Sequence, residues 1–434
     1  MTNESYRTAG ARLVHLARRL WLALVLASVL PAAAQARFEI PGFELVHNAP
    51  VETTLETPDL RGPVEVWCEM FRRARRGIDI EQFYIAGQAG EPLDTVIGCL
   101  DAAGRRGVRI RFLMEERGQS ASVAATIERV RAIPNLEYRI LPWARVFGSG
   151  IIHAKFFIVD GRAAFVGSHN FDWRALAHID ETGLRITHRR IAGQLHRIFE
   201  QDWNAAALVA AGQPVPALRG ESYAPMRGRA FLVASPNAYN PADIGDSQAT
   251  LLRLIGEARR EIRVEVMSYS TNAFGGGTYM LIDQALRAAA ARGVQVRLLV
   301  ANWTMYPNNL PGLESLDALP NVEIRVTAIP PAASGFIPFS RVVHTKIMTI
   351  DGRVGWVGTS NWEGGYLDNS RNVEVVMRDR RMAERLRALH EQMWSSTYSL
   401  PFAQARLIPR PVTQPPQPPA ATPPTTRPAT TQPR

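Results

Sequence analysis

Lysine is almost absent from this 434-residue chain, occurring twice against 48 arginines. Where every other side-chain cation is a planar guanidinium, two retained ammoniums mark positions that need a compact, mobile charge. Cysteine is equally scarce, with only Cys68 and Cys99, which excludes a disulfide-dense scaffold. No Cys/His or carboxylate cluster has ligand spacing, so neither a metal nor a cofactor is expected. The apolar run Leu20–Leu30 is too short for a comfortable membrane span. Basic excess is thin as well. Of the formal +10, residues 1–36 carry +3 and residues 401–434 carry +4, leaving +3 for the body of the chain. A strongly basic domain does not follow, although a local basic groove is compatible with it.

Both ends read as segments outside the fold. Arg7, Arg12, Arg18 and Arg19 precede Leu20–Leu30, followed by Pro31 and the small-x-small triplet Ala34-Gln35-Ala36. This is the pattern of a cleaved signal peptide, residues 1–36, with an uncleaved anchor as the alternative and a periplasmic or secreted mature chain as the consequence. Arg18-Arg19 also resembles a twin-arginine signal. From 401 to 434, eleven of 34 residues are proline among Thr, Gln and Ala, which predicts a disordered tail.

The two lysines have the same surroundings. His153-Ala-Lys155 is followed by Asp160, and His344-Thr-Lys346 by Asp351. Gly167-Ser-His-Asn170 follows the first motif and Gly358-Thr-Ser-Asn361 the second. A carboxylate closes each block, Glu181 lying 28 residues after His153 and Glu374 lying 30 after His344. The repeat extends upstream. Ala132–Ile140 matches Ala318–Val326, and Gly107–Arg111 matches Gly293–Arg297, both at an offset of 186 residues. Such a period is far too long for a solenoid and indicates two homologous lobes, 37–220 and 221–400.

Within each lobe helical and strand-like patterns alternate. Val64–Arg76, Leu93–Arg106, Ser247–Arg260, Tyr279–Arg292 and Met382–Trp394 have helical periodicity. Ile78–Tyr84, Val108–Met114, Ile262–Ser268 and Val294–Val300 are short apolar or alternating runs. The expected fold class is therefore α/β, with an α-β-α sandwich in each lobe. Each signature histidine and lysine precedes or opens a further strand, Lys155–Val159 or Lys346–Ile350.

On these residues the chain resembles the phospholipase D superfamily, whose signature is His-x-Lys-x4-Asp followed by a Gly-Ser-x-Asn-type turn. The resemblance covers roughly residues 45–398. Gly167–Arg174, Ile337–His344 and Gly358–Trp362 look like the branch with lysosomal phospholipase D-like exonucleases and poxvirus relatives. It implies two lobes with pseudo-twofold symmetry and one active site at their interface, so that no oligomer is required. The implied catalytic set is His153, Lys155, Asp160, Asn170, Glu181, His344, Lys346, Asp351, Asn361 and Glu374. The lysines and asparagines would hold phosphate oxygens, one imidazole would attack phosphorus, and the other would protonate the leaving oxygen. His153 is expected as nucleophile and His344 as acid, with Glu181 and Glu374 fixing the imidazole tautomers. The aspartates are expected as supports. His169 and His178 have no second-lobe counterparts and are expected behind the site or on the surface. Phe171, Trp173, Trp362 and Tyr366 are open between substrate stacking and packing. Cys68 and Cys99 are expected to pair in an exported chain, with two unpaired buried thiols as the competing reading. Nucleic acid leads as the substrate; phospholipid, with contact to a membrane surface, is the alternative.

Overall fold

The computed structural model describes residues 37–216, 228–273 and 276–407. Both segments expected outside the fold, 1–36 and nearly all of 401–434, lie outside the described residues, as does the 220/221 boundary. The tail was expected to start at 401, but Ser399–Pro401 forms a strand on Val322–Thr327 and Phe402 is buried. An aromatic side chain with core to cover keeps this first stretch ordered.

Two large mixed sheets form the molecule, and their central orders are the same. In the first, Gly77–Gln82 runs parallel to Arg109–Glu115, which runs parallel to Leu136–Leu141. On its other side follow antiparallel Phe156–Val159, Ala163–Gly167, Glu181–Ile186 and Phe43–Asn48. In the second, Glu261–Val266 has Gln295–Ala301 and Val322–Thr327 on one side. Lys346–Ile350, Val354–Gly358, Asn372–Met377 and Ala230–Ser235 follow on the other. The two-lobed α/β class read from the repeat is the fold.

Each sheet is covered on both faces by helices, so its central parallel strand is buried, Gly77–Gln82 throughout and Glu261–Val266 in all but its first residue. In the first lobe Pro63–Arg73 and Pro92–Arg105 cover the outer face, joined by a disulfide between Cys68 and Cys99 with Cα atoms 5.4 Å apart. The inner face carries Arg189–Ala210, whose Ile191, Leu195, Ile198 and Phe199 repeat at helical spacing. That inner core does not stop at the lobe. Ile158, Val166 and Leu184 of the first sheet share one apolar cluster with Ile347, Val357 and Val375 of the second. A shared core of this kind fixes the lobes rigidly against each other.

Backbone contacts across the seam are reciprocal. Ile152 bridges to Arg371, and Val343 bridges to Asp180. Consequently His153 N–H donates to Arg371 O at 2.9 Å, and His344 N–H donates to Asp180 O at 2.9 Å. Each signature histidine is thus pinned to the chain of the opposite lobe. Gly150 permits the approach on one side, where a Cβ would meet Asn369 O at 2.4 Å and φ is +79°.

Candidate active site

His153 and His344 enter the seam just before the strands Phe156–Val159 and Lys346–Ile350. The parallel strands of each sheet end beside them, the usual location of a site in such sheets. Both histidines and both lysines are buried. They are close enough that each lysine depresses both imidazoles. Lys155 Nζ donates to His153 O, and Lys346 Nζ to His344 O. These two bonds leave the remaining N–H groups to face an oxyanion. Burial and the neighbouring ammonium pull Lys155 well below its usual range. Burial brings Lys346 down to about 7, against the opposing charges of Glu181 and Glu363. Two crowded ammoniums make the pocket costly when empty of anions and attractive to phosphate.

The partner of each imidazole comes from across the seam. His344 Nδ1 lies 2.9 Å from both oxygens of Glu181. His153 Nδ1 lies 3.1 Å from Asn372 Oδ1. The amide orientation of Asn372 is set by its other bonds, since Nδ2 donates to Tyr366 O at 2.8 Å and Thr359 Oγ1 donates to Oδ1 at 2.8 Å. His153 must therefore donate from Nδ1, which leaves Nε2 with its lone pair. Burial first, then the lysines, hold both imidazoles well below the ordinary histidine range. Burial raises Glu181 while the surrounding positive charges oppose that rise.

Glu374 is not where the closing-carboxylate pattern put it. It sits two residues beyond Asn372, accepting from Ser247 and Ser360 hydroxyls, and burial pushes it up to about 7. A carboxyl with two hydroxyl donors and, among the described residues, no cation paired with it is a packed polar group, not a tautomer-fixing one. A signal for Asn372 was present in the sequence. The histidines are 191 apart, Gly167 and Gly358 are 191 apart, and Glu181 plus 191 is residue 372.

Asp160 and Asp351 also lie away from the chemistry. Each follows the far end of its motif strand, roughly 16 Å beyond the lysine at about 3.3 Å per residue. With φ near +54° each turns its carboxylate into a row of backbone N–H groups. Asp160 accepts from Arg75, Arg76 and Gly77, and Asp351 accepts from Arg259, Arg260 and Glu261. They tie the motif strand to the start of the central strand.

Asn170 and Asn361 are both buried, each with an unpartnered Oδ1. Asn361 also bonds the Tyr366 phenol, whose ring stands edge-on to His153 at 4.7 Å. Of the four aromatics left open, Tyr366 belongs to the site. Phe171 stacks on Trp67, Trp362 meets Trp356, and Trp173 is edge-on to His178. His169 lies in the core against Trp67 and Phe165, and burial lowers it to about 4.

One group among the described residues has metal-ligand geometry, Asp79, His196 and Glu200, with ligand atoms within 4.8 Å. It flanks the start of Gly77–Gln82, away from the histidines. Arg111 donates to Asp79 at 2.7 Å and to Glu200 at 3.1 Å, so a guanidinium already supplies the cation.

Two imidazoles, two ammoniums and two amides converging from paired lobes define a site for phosphodiester chemistry. Residues 67–203 and 251–394 match the family described as "Cardiolipin synthase, PLD-like domain". The chain belongs to this phospholipase D-like family and is a phosphodiesterase. It is 30% identical to phospholipase D Z of Dictyostelium discoideum, over 78% of this chain and 86% of that one. It is also 30% identical to the 5'-3' exonuclease PLD4 of Mus musculus, over 79% and 76%. Among solved structures, phosphatidylserine synthase of Haemophilus influenzae superimposes with a TM-score of 0.56 at 12% identity, covering 78% of this chain and 84% of that one. At that identity the likeness concerns the fold alone.

Proposed function

We propose that the chain is an exported nuclease that hydrolyses single-stranded nucleic acid through a phosphohistidine on His153. Nε2 of His153 attacks phosphorus in line while Lys155, Lys346, Asn170 and Asn361 hold the non-bridging oxygens. The bond from phosphorus to the leaving oxygen breaks as His344, backed by Glu181 and charged once the bound phosphodiester's negative charge offsets the two lysines that depress it, gives that oxygen its Nε2 proton. Neutral His344 then takes a proton from water, the water oxygen bonds phosphorus, and the phosphorus–nitrogen bond to His153 breaks. The unequal partners support this order. An amide acceptor keeps His153 neutral and nucleophilic, whereas a carboxylate stabilises the imidazolium that an acid needs.

The choice of nucleic acid rests on the rim of the site. Phe339, 51% exposed and five residues before His344, leans on Trp303 at 5.7 Å, with the Arg174 guanidinium 5.9 Å from its ring. Exposed aromatics beside arginine form a stacking platform for unpaired bases. Phospholipid is the second reading, since relatives named phospholipase D match as well as the exonucleases do. The purified chain, offered labelled single-stranded DNA and phosphatidylcholine side by side, should shorten the DNA and leave the lipid intact. The reverse result would replace the nuclease reading with the lipase one. Export, with residues 1–36 removed, is tested by the N-terminal sequence of the mature protein.

A further inference from the structure

We propose that the arginine-lined cleft at the outer end of the second lobe binds a phosphate monoester, at a site separate from the paired histidines. A space of about 550 Å³ opens there between the starts of Glu261–Val266 and Gln295–Ala301, the turn at Asp351–Arg353 and the helix Arg380–Trp394. Asp351 follows the end of its motif strand away from Lys346, roughly 16 Å off at about 3.3 Å per residue. The cleft is therefore no arm of the reaction site, and it does not depend on the nuclease reading.

Its floor carries a pairing that the first lobe avoids. In the first sheet Asp79 stands in register with Arg111 on the next parallel strand, and the guanidinium bonds the carboxylate at 2.7 Å. At the same register of the second sheet Arg263 stands against Arg297. Like charges in facing positions cost stability unless an anion lies between them. Glu391 does this in part, accepting from Arg263 and, at 3.3 Å, from Arg297. Glu261 accepts from Arg263 at 3.1 Å and pairs with Arg387 at 3.0 Å. Three guanidiniums thus share two carboxylates. The wall adds Arg260, which donates to Asp351 O at 2.9 Å, and Arg353, which no carboxylate reaches among the described residues. The Asp351 carboxylate is spent on backbone N–H groups, and Arg380 and Glu384 offset each other at 2.7 Å. Counting Asp351, five of these cations face three carboxylates, a surplus of two. Arg263 is buried, so part of the surplus sits in poorly solvated surroundings. Its field is felt by His390, which burial first, then Arg263 and Arg297, lower to about 3. A phosphate monoester brings nearly two negative charges and three acceptor oxygens, and guanidinium forks bond such oxygens in pairs. Charge and donor geometry both match.

The test is isothermal titration with inorganic phosphate and with thymidine 5'-monophosphate. Lys346→Met removes an ammonium from the histidine site and should leave the cleft's binding in place. Arg263→Asp gives the second sheet the pairing of the first and should abolish that binding. It should also leave turnover of a p-nitrophenyl phosphodiester within about twofold. The exposed Arg353→Gln guards against misfolding and should weaken the cleft's affinity about tenfold, as for one lost charged hydrogen-bond donor. Monoesters come free or as the end of a strand. Displacement of the mononucleotide from Lys346→Met by a 5'-phosphorylated single-stranded decamer would assign the cleft to strand ends, and binding of the free monoesters alone would assign it to those. No phosphate binding in Lys346→Met, or binding unchanged by both Arg263→Asp and Arg353→Gln, would overturn the proposal.

Discussion

The two lobes repeat one strand order and one His-x-Lys element, yet each histidine receives a different partner. His344 rests against the carboxylate of Glu181, and His153 against the amide of Asn372. The same divergence runs along the seam. Asp180 meets His47 at 3.1 Å, whereas its counterpart Arg371 is fully buried and paired twice with Asp202 at 2.8 and 2.9 Å. Duplication therefore supplied a two-sided geometry, and divergence at a few positions gave the two histidines different partners. A symmetric pair of equivalent histidines would have no reason for one to attack and the other to donate.

That division can be broken by substitution. His153→Ala and His344→Ala should each lower kcat by roughly 10⁴-fold, because nucleophile and acid act as a unit. Half activity in either variant would mean two independent sites. Glu181→Gln makes the partners alike and should lower kcat by about 10²-fold, while Asn372→Ala, which removes an orienting acceptor without a charge, should cost about tenfold. Equal losses would erase the distinction between the lobes.

Stability should differ between the lobes too, since only the first carries a disulfide. Replacing Cys68 and Cys99 by serine should cost about 3 kcal/mol, read from denaturant unfolding under oxidising conditions. The smallest effect is expected at Glu374. Its folded pKa of about 7 lies above the ordinary 4.5, so between those values the folded state holds a proton that the unfolded state has released. Stability from this group is present below pH 4.5 and is lost as pH rises toward 7. Glu374→Gln should thus melt higher than the unaltered protein at pH 8, match it near pH 4, and change kcat less than about threefold, as expected for a surrounding packed group. A large loss of kcat would return Glu374 to the reacting set.

Much of this was legible in the sequence because the repeat is nearly complete. Two lysines in an arginine-rich chain located both ends of the phosphate clamp, and alternating helices and strands gave the lobes. The chain's own spacing also contained Asn372, but the glutamate that closes the first block points to Glu374 instead, because an amide is not an obvious partner for histidine. The aspartates, expected as supports, hold backbone N–H groups at the far ends of the strands that the lysines precede or open. Apart from the Cys68–Cys99 pair, individual long-range contacts were out of reach. Arg371 finds Asp202 at a separation of 169 residues, and nothing local in Ser370-Arg371-Asn372 announces a buried ion pair. Nor does the sequence show that His153 takes its acceptor from the opposite lobe, which only the packing of the two sheets decides.

The central claim is that His153 carries the phosphoryl group and His344 supplies the proton. A p-nitrophenyl ester needs little help with departure, so His344→Ala should still be phosphorylated while lacking the base for hydrolysis. Mixed with such an ester and quenched under conditions that preserve phosphoramidates, His344→Ala should release a burst of one p-nitrophenol per chain. Peptide mass mapping should then place the adduct on His153, and His153→Ala should give neither burst nor adduct. An adduct on His344 in the His153→Ala protein, or no adduct in either variant, would contradict the account.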